Sequence, residues 1–162
     1  MKKRRRITKE PSTYTLLQEM AASPTEPLPE SLRRHQLTRM WGGLANLEQA
    51  PAPSTDDWRV CSDAVNLMET LVEMNVVEDA SGLLLDAVEA LANAGKRHMA
   101  GKALRLDAIG IVTVRAVLED YAAVIEVLPA RTVVRCHRLT EKRIRAIWEG
   151  KVKPHDVEIV RI

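Results

Sequence analysis

The chain has 162 residues, a net charge of only +2, 46% apolar and 3% aromatic residues, and no Phe. That length and apolar content exclude wholesale disorder and suffice for one core without disulfides or metal. With aromatics so scarce the expected core is aliphatic and, with its Ala and Leu, helical, and no apolar run approaches the roughly 18 residues a membrane span needs.

The small net charge conceals a split. Residues 1–9 hold six Lys or Arg and no acid, residues 46–127 hold six against fourteen Asp or Glu, and residues 128–162 hold nine against four. Both ends are basic and the middle is acidic, an asymmetry that bears on partners. Nucleic acid suits the basic ends. So does the acidic middle itself, within one molecule or between copies.

The chain opens on five consecutive cations, Lys2, Lys3, Arg4, Arg5 and Arg6. The next segment, ITKEPSTYTLLQEM, is polar and proline-broken, not the apolar segment of a secretory signal. The expected location is therefore cytoplasmic. Pro11, Pro24, Pro27 and Pro29 punctuate residues 1–29, which read as a disordered basic tail; at most residues 14–22 make a short helix able to dock.

A first core helix is expected from residue 29 or 30 to 48, with Leu44 and Leu47 on its inner stripe; Gly42 and Gly43 either bend it or allow close packing. QAPAPSTDD breaks the chain, with Ser54 or Thr55 as cap and Asp56 and Asp57 in the next first turn. The second helix runs to about residue 76. Trp58, Cys61, Val65, Met68 and Val72 form one stripe, and Val60, Ala64, Leu67, Leu71 and Met74 an adjacent one. Two stripes predict a wide buried face touching two neighbours. The third helix spans about 82–98, capped by Asp79 or Ser81, and ends near Gly101. The fourth, about 103–127, is the most apolar and is expected at the centre of the core. Arg115 interrupts it, snorkelling to solvent or pairing with Glu119.

After Pro129 two short basic helices are expected, 130–138 and 141–149, the second capped by Thr140 and closed by Gly150. VEIVRI, residues 157–162, reads as a short strand or a helix start. The fold expected is all-α: a four-helix bundle over 30–128, the basic tail over 1–29, and a small basic helical module over 129–162.

Several chemistries have no signature. There is no P-loop, no G-x-G-x-x-G turn, no G-x-S-x-G elbow, no H-E-x-x-H, and no E-x-x-H of the di-iron bundles. Cys136, His137 and His155 draw only a partial zinc site, with no C-x-x-C pair to complete it. Cys61 and Cys136 read as two reduced, buried thiols, a single disulfide being the alternative. Glu69 with Glu73, and Asp86 with Glu89, are spaced as acid/base pairs, but such spacing is also the wet side of an amphipathic helix. No catalytic residue, cofactor or metal is expected.

Two basic segments remain. Residues 2–6 suit a phosphate-binding arm, which attracts without reading sequence. RTVVRCHR, a turn and EKRIRAIWEGK outline a loose helix-turn-helix, with Lys142, Arg143 and Arg145 on the outer side of its second helix. The full candidate set adds Arg131, Arg135, Arg138, Lys151 and Lys153. Trp41 and Trp148 lie near basic clusters, where stacking on bases is an option, but in a chain without Phe they read as core anchors.

The KKRRR start, the proline-broken lead, and then SDAVNLMETL, DAVEALANAG and AVLEDYAAVIEVLP resemble short helical proteins with a basic N-terminus carried by prophages and plasmids of proteobacteria. The likeness covers roughly residues 35–128 and is one of pattern and length. It implies a bacterial, mobile-element accessory protein and assigns no functional residue. The expected function is therefore a non-enzymatic accessory protein binding nucleic acid through its basic ends. The alternative is an inhibitor or adaptor docking the acidic bundle surface on a host protein. A third reading is a homo-oligomer joined tail to bundle.

Overall fold

The computed structural model describes residues 12–151. Residues 2–6, Lys153, His155 and the expected element at 157–162 lie outside the described residues. The fold is all-α, with six helices among the described residues: α1 (Leu16–Ala21), α2 (Glu30–Gln49), α3 (Thr55–Glu73), α4 (Leu84–Met99), α5 (Ala108–Val127) and α6 (Ala130–Trp148). No described helix is long and apolar enough to cross a membrane.

Local chemistry explains most boundaries. Ser54 and Asp57 form a reciprocal capping box at the start of α3, at 3.1 and 2.8 Å. Asp107 accepts from the Gly110 amide at 2.7 Å to start α5. Gly101 and Gly150 take left-handed φ of 81° and 68° just past α4 and α6. Each lets the following amide reach back to a last-turn carbonyl, Lys102 to Arg97 and Lys151 to Ala146.

α3 packs against α2, α4, α5 and α6, so it, not α5, is the central helix. The two adjacent apolar stripes of α3 are what surround it with neighbours. α5 is more apolar overall, yet Ile109, Val112 and Val127 on its outer side are largely exposed. Apolar content did not rank the helices by depth; the width of the apolar face did. Arg115 likewise differs from expectation: it pairs with Glu48 of α2 at 2.7 Å, not with Glu119.

The largest correction concerns the C-terminal segment. Residues 130–148 form one continuous helix, and no turn divides it. Thr140, expected to cap a second helix, is buried in mid-helix. Its hydroxyl donates to the Cys136 carbonyl one turn back at 2.9 Å and meets Thr70 Oγ1 of α3 at 2.6 Å. A hydroxyl satisfied on its own helix and across the core has no cause to break the helix. Val133, Val134 and Cys136 of α6 join the same apolar cluster as Leu67, Leu71 and Leu118, so α6 is part of the main core.

Residues 12–29, expected as tail, are docked on α6. Leu28 is buried. The Glu26 and Ser23 carbonyls accept from the Ala130 and Arg131 amides at 2.8 and 2.9 Å. Those amides belong to the first turn of α6, whose N-cap, Pro129, provides no side-chain acceptor.

Candidate nucleic-acid interface

On α6 the cations Arg131, Arg135, Arg138, Lys142 and Arg145 recur at four, three, four and three residues. That spacing places them along one side of the helix. Val133, Cys136 and Thr140 occupy the opposite, buried side, and Val134 is buried at the flank of the ridge. The ridge runs from Arg131 to Arg145, roughly 21 Å at 1.5 Å per residue.

The structure divides the expected site residues sharply. Arg143 leaves the set: it turns to α3 and bonds both Glu73, at 2.6 Å, and Glu69. The same contacts remove Glu69 and Glu73 as an acid/base pair, since one guanidinium fork holds both carboxylates. Arg138 pairs with Glu19 of α1. Arg131 caps the end of α1, donating to the Ala22 and Met20 carbonyls at 3.1 and 3.0 Å. Lys151 pairs with Glu149, and Arg145 is half-buried. Arg135 and Lys142 are exposed and make no ion pair among the described residues. Trp148 is 46% exposed at the end of α6, so it is not a core anchor, while Trp41 is half-buried against the core.

The N-terminal segment joins the ridge at a defined point. Glu141 accepts from the Thr13 amide at 2.9 Å and from the Ser12 hydroxyl. Burial alone would raise the Glu141 carboxyl, but these hydrogen bonds outweigh it and hold the group below its usual value. Residues 1–11, with six cations, thus attach beside Glu141, and residues 152–162 attach ten positions further on, after Lys151. Both basic ends are tethered to the same half of α6.

Beneath α1 lies His137, its ring 5.4 Å from that of Tyr14. Its Nε2 is buried without a hydrogen-bond partner among the described residues. Burial holds the imidazole below its ordinary value, against the opposing pull of Glu141. The unfolded chain therefore takes up this proton first. The stability His137 contributes is full above about pH 6.5 and declines as pH falls below it. Urea midpoints measured at about pH 7 and about pH 5 should show a loss of stability, and His137→Phe should reduce that loss.

The two cysteines are free and buried. Burial pushes the thiols up, Cys61 to about 12 and Cys136 to about 11, which leaves neither a ready nucleophile. Cys61 points at the Met40 carbonyl and Cys136 at the Met74 sulfur, each at 3.7 Å. Among the described residues no group of three or more His, Cys, Asp or Glu is placed to hold a metal ion. A cleft of about 450 Å³ between α2 and α5 is lined by Arg33, Leu37, Trp41 and Glu126. Its Arg33 and Glu126 pair with each other at 3.2 Å.

The sequence reading missed the groups that organise this surface, Glu19 and Glu141. The only cue was the docking option for residues 14–22; nothing in the local pattern names α6 as its platform. No known family, curated protein or solved structure matches the chain.

Proposed function

We propose that the protein is a non-enzymatic accessory protein that binds nucleic acid through phosphate contacts along α6, assisted by the basic segments at its two ends. The mobile-element setting implied by the sequence resemblance belongs to the same proposal, as does a four-helix bundle of α2–α5 acting as its carrier. The observation that carries the reading is the tethering of both ends to the half of α6 where Lys142 projects. The acidic middle of the chain disfavours phosphates elsewhere on the surface, so it orients the encounter. The continuous α6 lacks the turn of a helix-turn-helix, so contact with phosphates and not with base edges is proposed.

The test is a salt titration of binding to a random duplex and a random single strand. Log affinity for the duplex should fall with log salt at about −0.9 per phosphate neutralised. Deleting residues 1–11, which removes six cations, should flatten the slope by up to about 5. Arg135→Ala with Lys142→Ala should flatten it by up to about 2. Absence of binding by the full chain at low salt would overturn the proposal.

A second reading has its own support. Arg138 and Arg143 are already neutralised by Glu19, Glu69 and Glu73, which favours an adaptor whose acidic helices dock on a basic host protein. Under that reading the titration gives no binding, and a basic protein partner is captured instead.

A further inference from the structure

We infer that α1 is a displaceable strap, which nucleic acid must lift from α6 to reach Arg131 and Arg138. The inference rests on the nucleic-acid reading and specifies how that site is regulated.

α1 is docked with its polar side inward. None of its residues is buried, and its large apolar side chains face solvent: Leu16 is 55% exposed, Leu17 77% and Met20 65%. At six residues it is far shorter than the roughly 12–15 an isolated helix needs. Hydrophobic burial therefore does not hold it down. Tyr14 and Ala22, half-buried at its two flanks, touch the edge of the core; the other attachments are polar: Glu19 on Arg138, the Met20 and Ala22 carbonyls on Arg131, and Ser12 and Thr13 on Glu141. Contacts of this kind weaken with salt and yield to a better anion.

The chain just after α1 is held differently. Glu26 and Ser23 supply acceptors that the first turn of α6 requires, and Leu28 is buried. Lifting α1 takes only Tyr14 and Ala22, both half-buried, from the edge of the core, whereas lifting residues 23–28 would expose Leu28 and strand backbone amides. The hinge thus falls at Ala22–Ser23.

What α1 covers is the ridge itself. With the strap closed, two of the four cations from Arg131 to Lys142 already carry oxygen partners from α1, and Arg135 and Lys142 stand open between and beyond them. A phosphate offers both Arg residues charge-assisted bonds in bidentate geometry, in place of one carboxylate bond to Arg138 and two neutral carbonyl bonds to Arg131. Release would turn two separated cations into a row of four at four, three and four residues.

The test compares the full chain with Glu19→Gln and with Glu30→Gln. The second removes the same charge from an exposed pair with Arg34 at the start of α2. Glu19→Gln should bind a random duplex more tightly than Glu30→Gln. Its slope should be the steeper of the two, because salt also screens the Glu19–Arg138 pair that must break in Glu30→Gln, so its advantage should shrink between 50 and 200 mM salt. Hydrogen exchange at the Glu19 and Ala22 amides, which bond to Thr15 and Gln18 within α1, should accelerate when the duplex binds. A common slope for both variants, with α1 still protected in the complex, would overturn the strap and leave the nucleic-acid reading standing. Failure of all three proteins to bind at low salt would overturn both.

Discussion

Trp58→Ala should destabilise the folded chain by about 3–5 kcal/mol, the usual cost of emptying a buried aromatic site. Trp58 is only 8% exposed, in the first turns of α3. Its indole Nε1 donates to the Leu91 carbonyl of α4 at 2.9 Å. One side chain thus supplies both packing volume and a directional link between the central helix and its neighbour. The aliphatic core holds few rings to share that volume, since the chain has three Trp, two Tyr and no Phe. Trp58→Phe separates the two contributions. It keeps a ring and loses the donor, so a loss of about 1 kcal/mol from the hydrogen bond is expected, with a smaller packing loss beside it. For a chain of this size each kcal/mol moves the thermal midpoint by roughly 2–4 °C. Urea melts of the two variants check the partition. A loss below about 1 kcal/mol for Trp58→Ala would show that α3 and α4 are held together elsewhere.

Adjacent glycines should respond with opposite signs. A Cβ at Gly43 would lie 2.5 Å from Val60 Cγ2 and 2.8 Å from the Asp57 carbonyl oxygen. Val60 can rotate, but the backbone oxygen is fixed at the start of α3, so α2 must move out. Overpacking of this kind costs about 1–3 kcal/mol or more. It offsets and exceeds the gain of up to about 1 kcal/mol that Ala brings to a helix interior. Gly43→Ala should lower stability by roughly 1–2 kcal/mol on that balance. A Cβ at Gly42 meets nothing within 4 Å, so Gly42→Ala should keep the full helix gain and raise stability by about 0.5–1 kcal/mol. Thermal melts of the pair decide it. Equal shifts of the same sign would show that α2 and α3 do not approach as closely as the Gly43 contacts require.

Only one of these glycines is needed for close approach, and the sequence offers both. Gly42 and Gly43 share a composition and a neighbourhood; they differ by about 100° around α2. Which of them faces α3 depends on where α3 lies. Arg143 is subject to the same limit. Its place among basic residues marks it as a phosphate ligand, and only the proximity of Glu69 and Glu73, 74 and 70 positions away, shows it to be an internal tie.

Thr140 illustrates the converse error. Threonine before Glu is a reasonable helix start when read locally. Its hydroxyl finds one partner four residues back and another on α3, so burial overrides the local signal. With the turn lost, the helix-turn-helix outline is lost too, and the five ridge cations fall into a single line. Residues 12–29 carry a matching ambiguity. Their prolines correctly predict the non-helical stretch before α2, but the oxygens that tie them to α6 carry no sequence signal.

What the sequence determined by itself was the helical class, the boundaries of α2 to α4 and the end of α5 within a few residues, the cap of α3 to Ser54 or Thr55, the closing Gly150, the aliphatic core, and the basic–acidic–basic distribution of charge. All of these arise from periodicity, capping and composition, which act over one or two helical turns. Tertiary structure alone decided that α3 is central, that α6 is one helix in the main core, which cations are engaged by Glu19, Glu69 and Glu73, and that both basic ends are tethered to one half of α6. Each of those depends on which surfaces meet across dozens of residues, because burial and ion pairing are settled by distances in space and not by spacing along the chain.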